Sequence, residues 1–407
     1  MSSSVKKQHD LERANKYLLA MNFLFALLII SWIPRLSAIK KMLGLNNEVF
    51  GSLLALGSLG ALVAYGSSGY VIERFGSKVV SNISIFLMVV SYAGLTWTQN
   101  IAIFALINFF AAVGGSFLHI ALLGVQTAIQ KEIGRPIIPK MHGAFNIGFL
   151  IVMIIGGIVS PFVSVRTHLT AVSLILAPIF FYCANQVPSS RDLAIGEKPH
   201  LGLKFVKELI PRTQLEWLIS LGLICATVIE IATNDWMAIY ARETLNIPAG
   251  PHVIYFILFS LAMIIARWKF APMLKRFGPV NLIHYGSIIG GLGYAIGIYG
   301  AFLIVETSPW LAFIAARLGV LIGGFGIGGI QAIFIKVLGD KSGTSLNVAL
   351  GRVYLVFTMY LFVIRLIISF VAERVSVAAA LLVPAVLLLL TFRFAHLADE
   401  DKDLQSN

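Results

Sequence analysis

The chain is short of charge. Only 12% of its 407 residues are charged, against about a quarter in a soluble protein. Acidic residues are scarcest, with 19 Asp and Glu against 31 Lys and Arg, so the formal net charge is +12. Cysteine occurs twice, at Cys183 and Cys225. Both lie in apolar runs without metal-ligand spacing, which gives no basis for a disulfide framework or a metal site. Strand-like alternation is missing, so a β-barrel has no support. A cleavable signal peptide is not expected. The stretch from Met1 to Lys16 is polar and charged, and the apolar run after it is too long for a signal core and has no small-residue cleavage site. Together these shortages exclude a soluble globular protein, a disordered chain and a disulfide scaffold.

What the chain has is apolar length. It is 58% hydrophobic, with a mean hydropathy of +0.87. A helix needs about 20 apolar residues to cross the hydrocarbon core, and twelve such runs are found at roughly 17–36, 48–71, 79–98, 101–126, 141–160, 168–187, 215–238, 251–271, 280–303, 309–335, 346–371 and 375–395. Each run can satisfy its backbone hydrogen bonds in lipid only as a helix.

The basic residues sort by loop. With both termini placed inside, 22 Lys and Arg fall on inner segments. Only Arg35, Lys40, Lys41, Arg166, Arg242 and Arg374 fall outside, and Arg317, Arg352 and Arg365 lie within spans. This asymmetry predicts a plasma (inner) membrane protein, multi-pass, with both termini cytoplasmic. The basic surplus therefore reads as topology and contact with anionic lipid headgroups, not as a nucleic-acid surface. The longest polar segment, 188–214, divides the chain into two six-helix halves, 1–187 and 215–407. The expected class is an all-α membrane protein with 12 transmembrane helices in two six-helix bundles.

The halves echo each other after their second helix. Arg74-Phe75-Gly76 in one and Arg276-Phe277-Gly278 in the other are flanked by apolar runs, both on predicted inner loops. Parallel repeats about a polar linker are a transporter signature. Gly69 suits a close helix approach and Gly76 a tight turn. Glu73 can meet a positive helix end or a basic partner in a contact that breaks in one state. The stretch Gly69–Lys78 resembles the inner-loop signature of the major facilitator superfamily, G-x-x-x-D-R-x-G-R-K. Gly69, Arg74, Gly76 and Lys78 match it, and Glu73 replaces the usual Asp. The second copy departs, with Lys275 at the acidic position and Pro279 in the basic stretch, so a symmetric acidic–basic gate is not expected there.

A narrower resemblance rests on Trp32-Ile33-Pro34-Arg35, Gly134-Arg135-Pro136 with His142-Gly143, and Glu230 through Tyr240. These are similar to a bacterial, YbjJ-like branch of facilitators related to fucose:proton symporters. The resemblance implies the major facilitator fold, a sugar or other small polar substrate, and a central cavity lined by helices one, four, seven and ten. The acidic residues that the fucose symporters carry in helices one and four are missing. Those spans offer Asn22, Asn108, His119 and Gln126 instead, so proton coupling must use other groups.

Ionisable groups in a span cost about 2.5–3.5 kcal/mol each on insertion scales and mark function by default. Thr227, Glu230 and Asn234 share one face of helix seven, at i, i+3 and i+7. Asp235 lies about 140° round from Glu230. Arg317 and Arg365 are the buried cations available as partners, with Glu230–Arg317 the first pairing expected and Asp235–Arg365 the second. Each pair reads either as proton coupling and substrate contact or as a static tether. Arg352, near a helix end, is expected to snorkel to the headgroups. Trp32, Trp236 and Tyr240 read as interfacial anchors, with sugar stacking as the alternative for Trp32. Asn22, His119, Asn146 and Gln331 are candidate substrate contacts, with a neutral hydrogen-bonded imidazole the alternative for His119. His142 reads as a solvated or capping group near the inner face. The glycine run from Gly323 to Gly329 lacks the strand–turn–helix setting of a phosphate loop and reads as helix packing, with bending as a second role.

The sequence thus predicts secondary active transport of a small polar solute, a sugar among the candidates, by alternating access with proton symport. Export of amphiphilic compounds or drugs is the alternative. An enzyme is not expected, because the scattered polar groups form no nucleophile–base set. No cofactor or metal is expected. The expected partners are a small-molecule solute, protons and membrane lipids, with no nucleic acid, and the chain is expected to be a monomer.

Overall fold

The computed structural model describes residues 3–135, 137–189, 210–343 and 346–399. Most of the linker expected over 188–214 lies outside them. The described residues are helical, without strands. Twelve helices are long and apolar enough to cross a membrane. They are α1 (Gln8–Leu43), α2 (Asn47–Ser68), α3 (Ser77–Gly94), α4 (Ile101–Ile133), α5 (Lys140–Val159), α6 (Val165–Gln186), α7 (Gln214–Thr244), α8 (Pro251–Trp268), α9 (Phe270–Ile304), α10 (Pro309–Lys341), α11 (Ala349–Arg374) and α12 (Val377–Ala398). The chain is an all-α, multi-pass membrane protein.

Chain punctuation sets several of the breaks. α1 is interrupted by a 3-10 turn at Ile33–Arg35, where Pro34 opens the turn, and it closes on Gly44 at φ +64°. α4 starts on Asn100, whose side chain accepts the amides of Ala102 and Ile103, satisfying donors that a helix start leaves free. α9 is broken at Gly278 (φ 75°, ψ 165°), with Pro279 following. Gly76, at the equivalent place in the first half, has φ 81° and ψ 149°. Both glycines occupy a region that side-chain-bearing residues avoid, so the sequence repeat is also a repeat of backbone geometry. α10 pauses at Gly328 and Gly329, between helical stretches that end at Ile327 and resume at Ile330.

Two compact units result. One comprises 1–44 and 56–206; the other comprises 45–55 and 207–407. In the first, α1 packs on α5 and α6, and α3 packs on α4 and α6. Leu18, Met21, Leu28, Met88, Leu118 and Phe180 belong to its core. In the second, α10 packs between α8 and α9, and α7 packs against α11 and α12. Lipid is as apolar as leucine, so helix association rests on close packing more than on hydrophobic transfer. α9 and α10 meet almost backbone to backbone: a Cβ on Gly297 would stand 2.4 Å from the Gly319 Cα. In α10, a Cβ on Gly324 would stand 2.3 Å from the Phe259 carbonyl oxygen. The glycine run therefore serves packing, and its end coincides with the pause in the helix.

Three expectations need correction. Trp236 and Tyr240 are not interfacial anchors. Both are fully buried, and the Tyr240 hydroxyl donates to the Ile298 carbonyl at 2.7 Å. Arg352 does not snorkel; it is 4% exposed and is held in an ion pair. Position near a helix end was the basis for all three expectations, and neighbouring helices cover those ends in the second unit.

Candidate functional site

The second unit builds its polar site on α7. Thr213 caps the helix, accepting the Glu216 amide, while the Glu216 carboxylate accepts from the backbone of Thr213. This reciprocal capping box satisfies two donors at once. Glu216 also accepts the Arg212 amide at 2.6 Å and the Arg352 guanidinium on α11 at 2.9 Å. Glu216 is fully buried, so the ion pair and the backbone donors together offset the cost of taking its charge out of water.

About five turns along α7, a second carboxylate repeats the arrangement. Arg365 Nε donates to Asp235 Oδ2 at 2.8 Å, and Nη2 donates to Oδ1 at 3.2 Å. The bidentate fork fixes orientation as well as distance. Arg365 Nη1 also donates to the Leu54 carbonyl at 3.3 Å. Buried ion pairs thus tie α7 to α11 near both ends. On its other side α7 is tied to α9, with the Thr233 and Tyr294 hydroxyls 2.9 Å apart.

Between those ties, α7 has one open stripe. From Gly222 to Tyr240 every residue is buried except Thr227, Glu230, Ile231 and Asn234, which are half-buried. The periodicity that put Thr227, Glu230 and Asn234 on one face is realised, and that face is the one the packing leaves accessible. Thr227 returns its hydroxyl to the Leu223 carbonyl at 2.7 Å.

Glu230 and Arg317 form no ion pair. The stretch of α10 that carries Arg317, Pro309–Ile327, packs mainly on α8 and α9 and touches α7 lightly, so it does not bring Arg317 to Glu230. Arg317 acts electrostatically on Tyr255 of α8 instead, and its Nε has no hydrogen-bond partner among the described residues. Arg267 of α8 acts on Glu230 electrostatically. Gln331 on α10 donates to the Tyr354 hydroxyl at a long 3.4 Å.

In the first unit, the candidates gather loosely around Phe25. His119 stacks on it with centroids 6.4 Å apart, and Phe145, next to Asn146, approaches it at 5.7 Å. His119 is exposed and Asn146 half-buried. Asn22 donates its amide to the Leu18 carbonyl at 2.8 Å, which spends part of its hydrogen-bonding capacity on its own helix. Trp32 meets Tyr92 edge-on at 6.1 Å. Asn108 and Gln126 are each 4% exposed and pack among helices. Arg35, expected outside, is 3% exposed and donates to the Val163 carbonyl at 2.6 Å.

The loop motif shares an arginine against the ring of the following phenylalanine in both copies. The Arg74 guanidinium bonds the Tyr70 hydroxyl and lies 5.7 Å from the Phe75 ring. Arg276 lies 5.3 Å from the Phe277 ring. Lys78 Nζ donates to the Asn185 carbonyl at 2.7 Å. Gly69 sits within the helix that ends at Phe75, and Glu73 precedes that end by two residues.

Twelve spans, repeated glycine breaks and this loop motif agree with the sequence profile of the Major Facilitator Superfamily, which matches residues 18–296. The chain belongs to that superfamily. Two curated relatives are described as uncharacterised transporters. An MFS-type transporter of Yersinia pestis is 23% identical over 374 residues, covering 90% of this chain and 91% of its own length. The transporter y4wD of Sinorhizobium fredii is 24% identical over 290 residues, covering 70% of this chain and 72% of its own. Among solved structures, the nucleoside transporter NupG is similar in fold at 13% identity. Its TM-score is 0.70, with 97% of this chain and 99% of that chain covered. A mutant form of NupG gives a TM-score of 0.73 at 14% identity, covering 95% and 98%. Family, relatives and fold are those of transporters and not of enzymes.

Two groups of this facilitator's polar framework escaped the sequence reading: the Glu216–Arg352 pair and Arg267. The pattern Thr213-x-x-Glu216 before an apolar run is a visible capping-box signal. It marks Glu216 as buried in a helix start, though it does not name Arg352 as the partner.

Proposed function

We propose that this facilitator is a proton-coupled secondary transporter that moves a small polar solute, a sugar being one candidate, across the plasma membrane by alternating access, with both termini cytoplasmic. The observation that carries the reading is the half-buried polar stripe of Thr227, Glu230 and Asn234 on a stretch of α7, Gly222 to Tyr240, where Ile231 is the one other residue not buried. A carboxylate at mid-span without a direct ion pair has little reason to be kept for packing, because it carries an insertion cost. At the accessible face of its helix it can exchange a proton with water or solute.

Asp235 has a different part in this reading. Its fork with Arg365 makes it a tether that keeps α7 in register on α11, so that Glu230 and Asn234 are presented on a fixed frame. Asn234, and Gln331 with Tyr354, supply amide and hydroxyl groups of the kind that select polyhydroxylated solutes by hydrogen bonding. In the first unit, Asn22, His119 and Asn146 supply further polar groups, with Trp32 as a stacking surface. The loop residues Gly69, Glu73, Arg74, Gly76, Lys78, Arg276 and Gly278 form the conformational hinge and gate.

The test is a thermal-shift screen of the purified protein against sugars, sugar acids, nucleosides and common efflux substrates, repeated with Asn234→Ala. Stabilisation by one class of polar solute, lost in Asn234→Ala, is the expected outcome. Stabilisation by amphiphilic cations alone would favour export and contradict the reading.

A further inference from the structure

On the second unit, a groove of about 540 Å³ opens where α8, α9 and α10 meet. It exists because its floor is made of small residues: Ala262, Ala266, Gly286, Gly326 and Gly329. Its rim carries Phe277, Tyr285, Ile289 and Phe325, all exposed, with Ile289 at 60%. Exposed aromatic and aliphatic side chains at membrane depth face hydrocarbon, so this groove opens towards lipid.

One end of the groove is basic. Lys269, Lys275 and Arg276 are all exposed, and no acidic residue occurs in the sequence between Glu243 and Glu306. Arg276 lies 5.3 Å from the ring of Phe277, which itself lines the groove. Trp268, adjoining Lys269, is 85% exposed, and an exposed Trp beside Lys and Arg marks the headgroup level. From Val280, past the break at Gly278, to Ile289, α9 rises about 14 Å, close to the ~15 Å that one leaflet contributes to the hydrocarbon core.

We infer that this groove holds one acyl chain of an anionic phospholipid, whose phosphate is met by Lys269, Lys275 and Arg276. Filling the groove with hydrocarbon confers no selectivity by itself, since bulk lipid is equally apolar. Selectivity comes from the basic end, where each Lys or Arg attracts an anionic headgroup and the guanidinium fork suits phosphate oxygens. Depth and charge together therefore select a chain with a phosphate attached at one end. Neither a soluble phosphate nor a neutral lipid satisfies both.

The test reconstitutes the full chain in nanodiscs of phosphatidylcholine with phosphatidylglycerol, then counts retained lipids by native mass spectrometry. We expect at least one phosphatidylglycerol retained per chain, undisplaced by soluble glycerophosphate. Lys269→Gln with Lys275→Gln should weaken that retention by about tenfold or more, at about fivefold per charge. Ile289→Trp, which occupies the groove from its rim without disturbing the core, should remove it while leaving the basic end intact. Size-exclusion profiles and far-UV spectra establish that each variant is folded. Equal retention of phosphatidylcholine, displacement by glycerophosphate, association of a second copy at the groove in place of lipid, or unchanged retention in Ile289→Trp would each overturn the inference.

Discussion

Glu230 and Asp235 lie five residues apart on one helix and are held in opposite ways. Asp235 has its cation, bound through two hydrogen bonds, and Glu230 forms no ion pair among the described residues. The difference follows from helix geometry, because the rotation between them turns Asp235 into the α7–α11 contact and Glu230 onto the open stripe. Removing one partner of a buried pair leaves the other charge uncompensated, at a cost of about 3–5 kcal/mol, whereas replacing both with apolar groups is far milder. Asp235→Leu alone should therefore lower the melting temperature in detergent sharply, and adding Arg365→Met should restore most of the loss. Additive losses in the double variant would show that the pair is not coupled. Glu230→Gln removes no direct ion pair, so its melting temperature should stay close to that of the wild type. Thus the same helix gives one carboxylate whose loss reads as stability and another whose loss reads as function.

At the scale of elements, the glycine breaks are the features the sequence exposed most clearly. The Arg-Phe-Gly repeat gave their positions, and the matched backbone angles of Gly76 and Gly278 show why glycine stands there. An alanine at either site would adopt a conformation costing about 1–3 kcal/mol. Gly76→Ala and Gly278→Ala should each destabilise the protein in thermal melts, and neither loss should be repaired by lengthening the side chain. Contacts between helices were less legible. Periodicity gave the shared face of Thr227, Glu230 and Asn234, since that depends on one helix alone. It could not give the partner of Glu216 or the burial of Trp236, because both depend on which neighbour covers a given end. Arg352 was misread for the same reason: snorkelling assumes a helix end open to headgroups, and its end is covered. Glu216 serves as both capping group and ion partner. Glu216→Gln, which keeps a polar capping oxygen, should therefore cost less stability than Glu216→Ala, a ranking that melting temperatures can check directly.

For the whole molecule, the proposed sidedness rests on the charge distribution, and an even helix count puts both termini on one side. Cys183 and Cys225 are both buried, so introduced thiols can be read against a low background. Glu306→Cys, at an exposed turn between α9 and α10, should react with an impermeant maleimide on intact cells, and Lys275→Cys should react only after lysis. The reverse pattern would invert the assigned topology. In the proposed mechanism Glu230 carries the coupling proton. This role is tested most directly in proteoliposomes containing a pH-sensitive dye, with the solute that gives the largest thermal shift added outside. Wild-type protein should acidify the lumen when solute is added, and Glu230→Gln should still bind the solute while losing at least tenfold of the proton flux. Proton uptake that persists undiminished in Glu230→Gln would contradict the account.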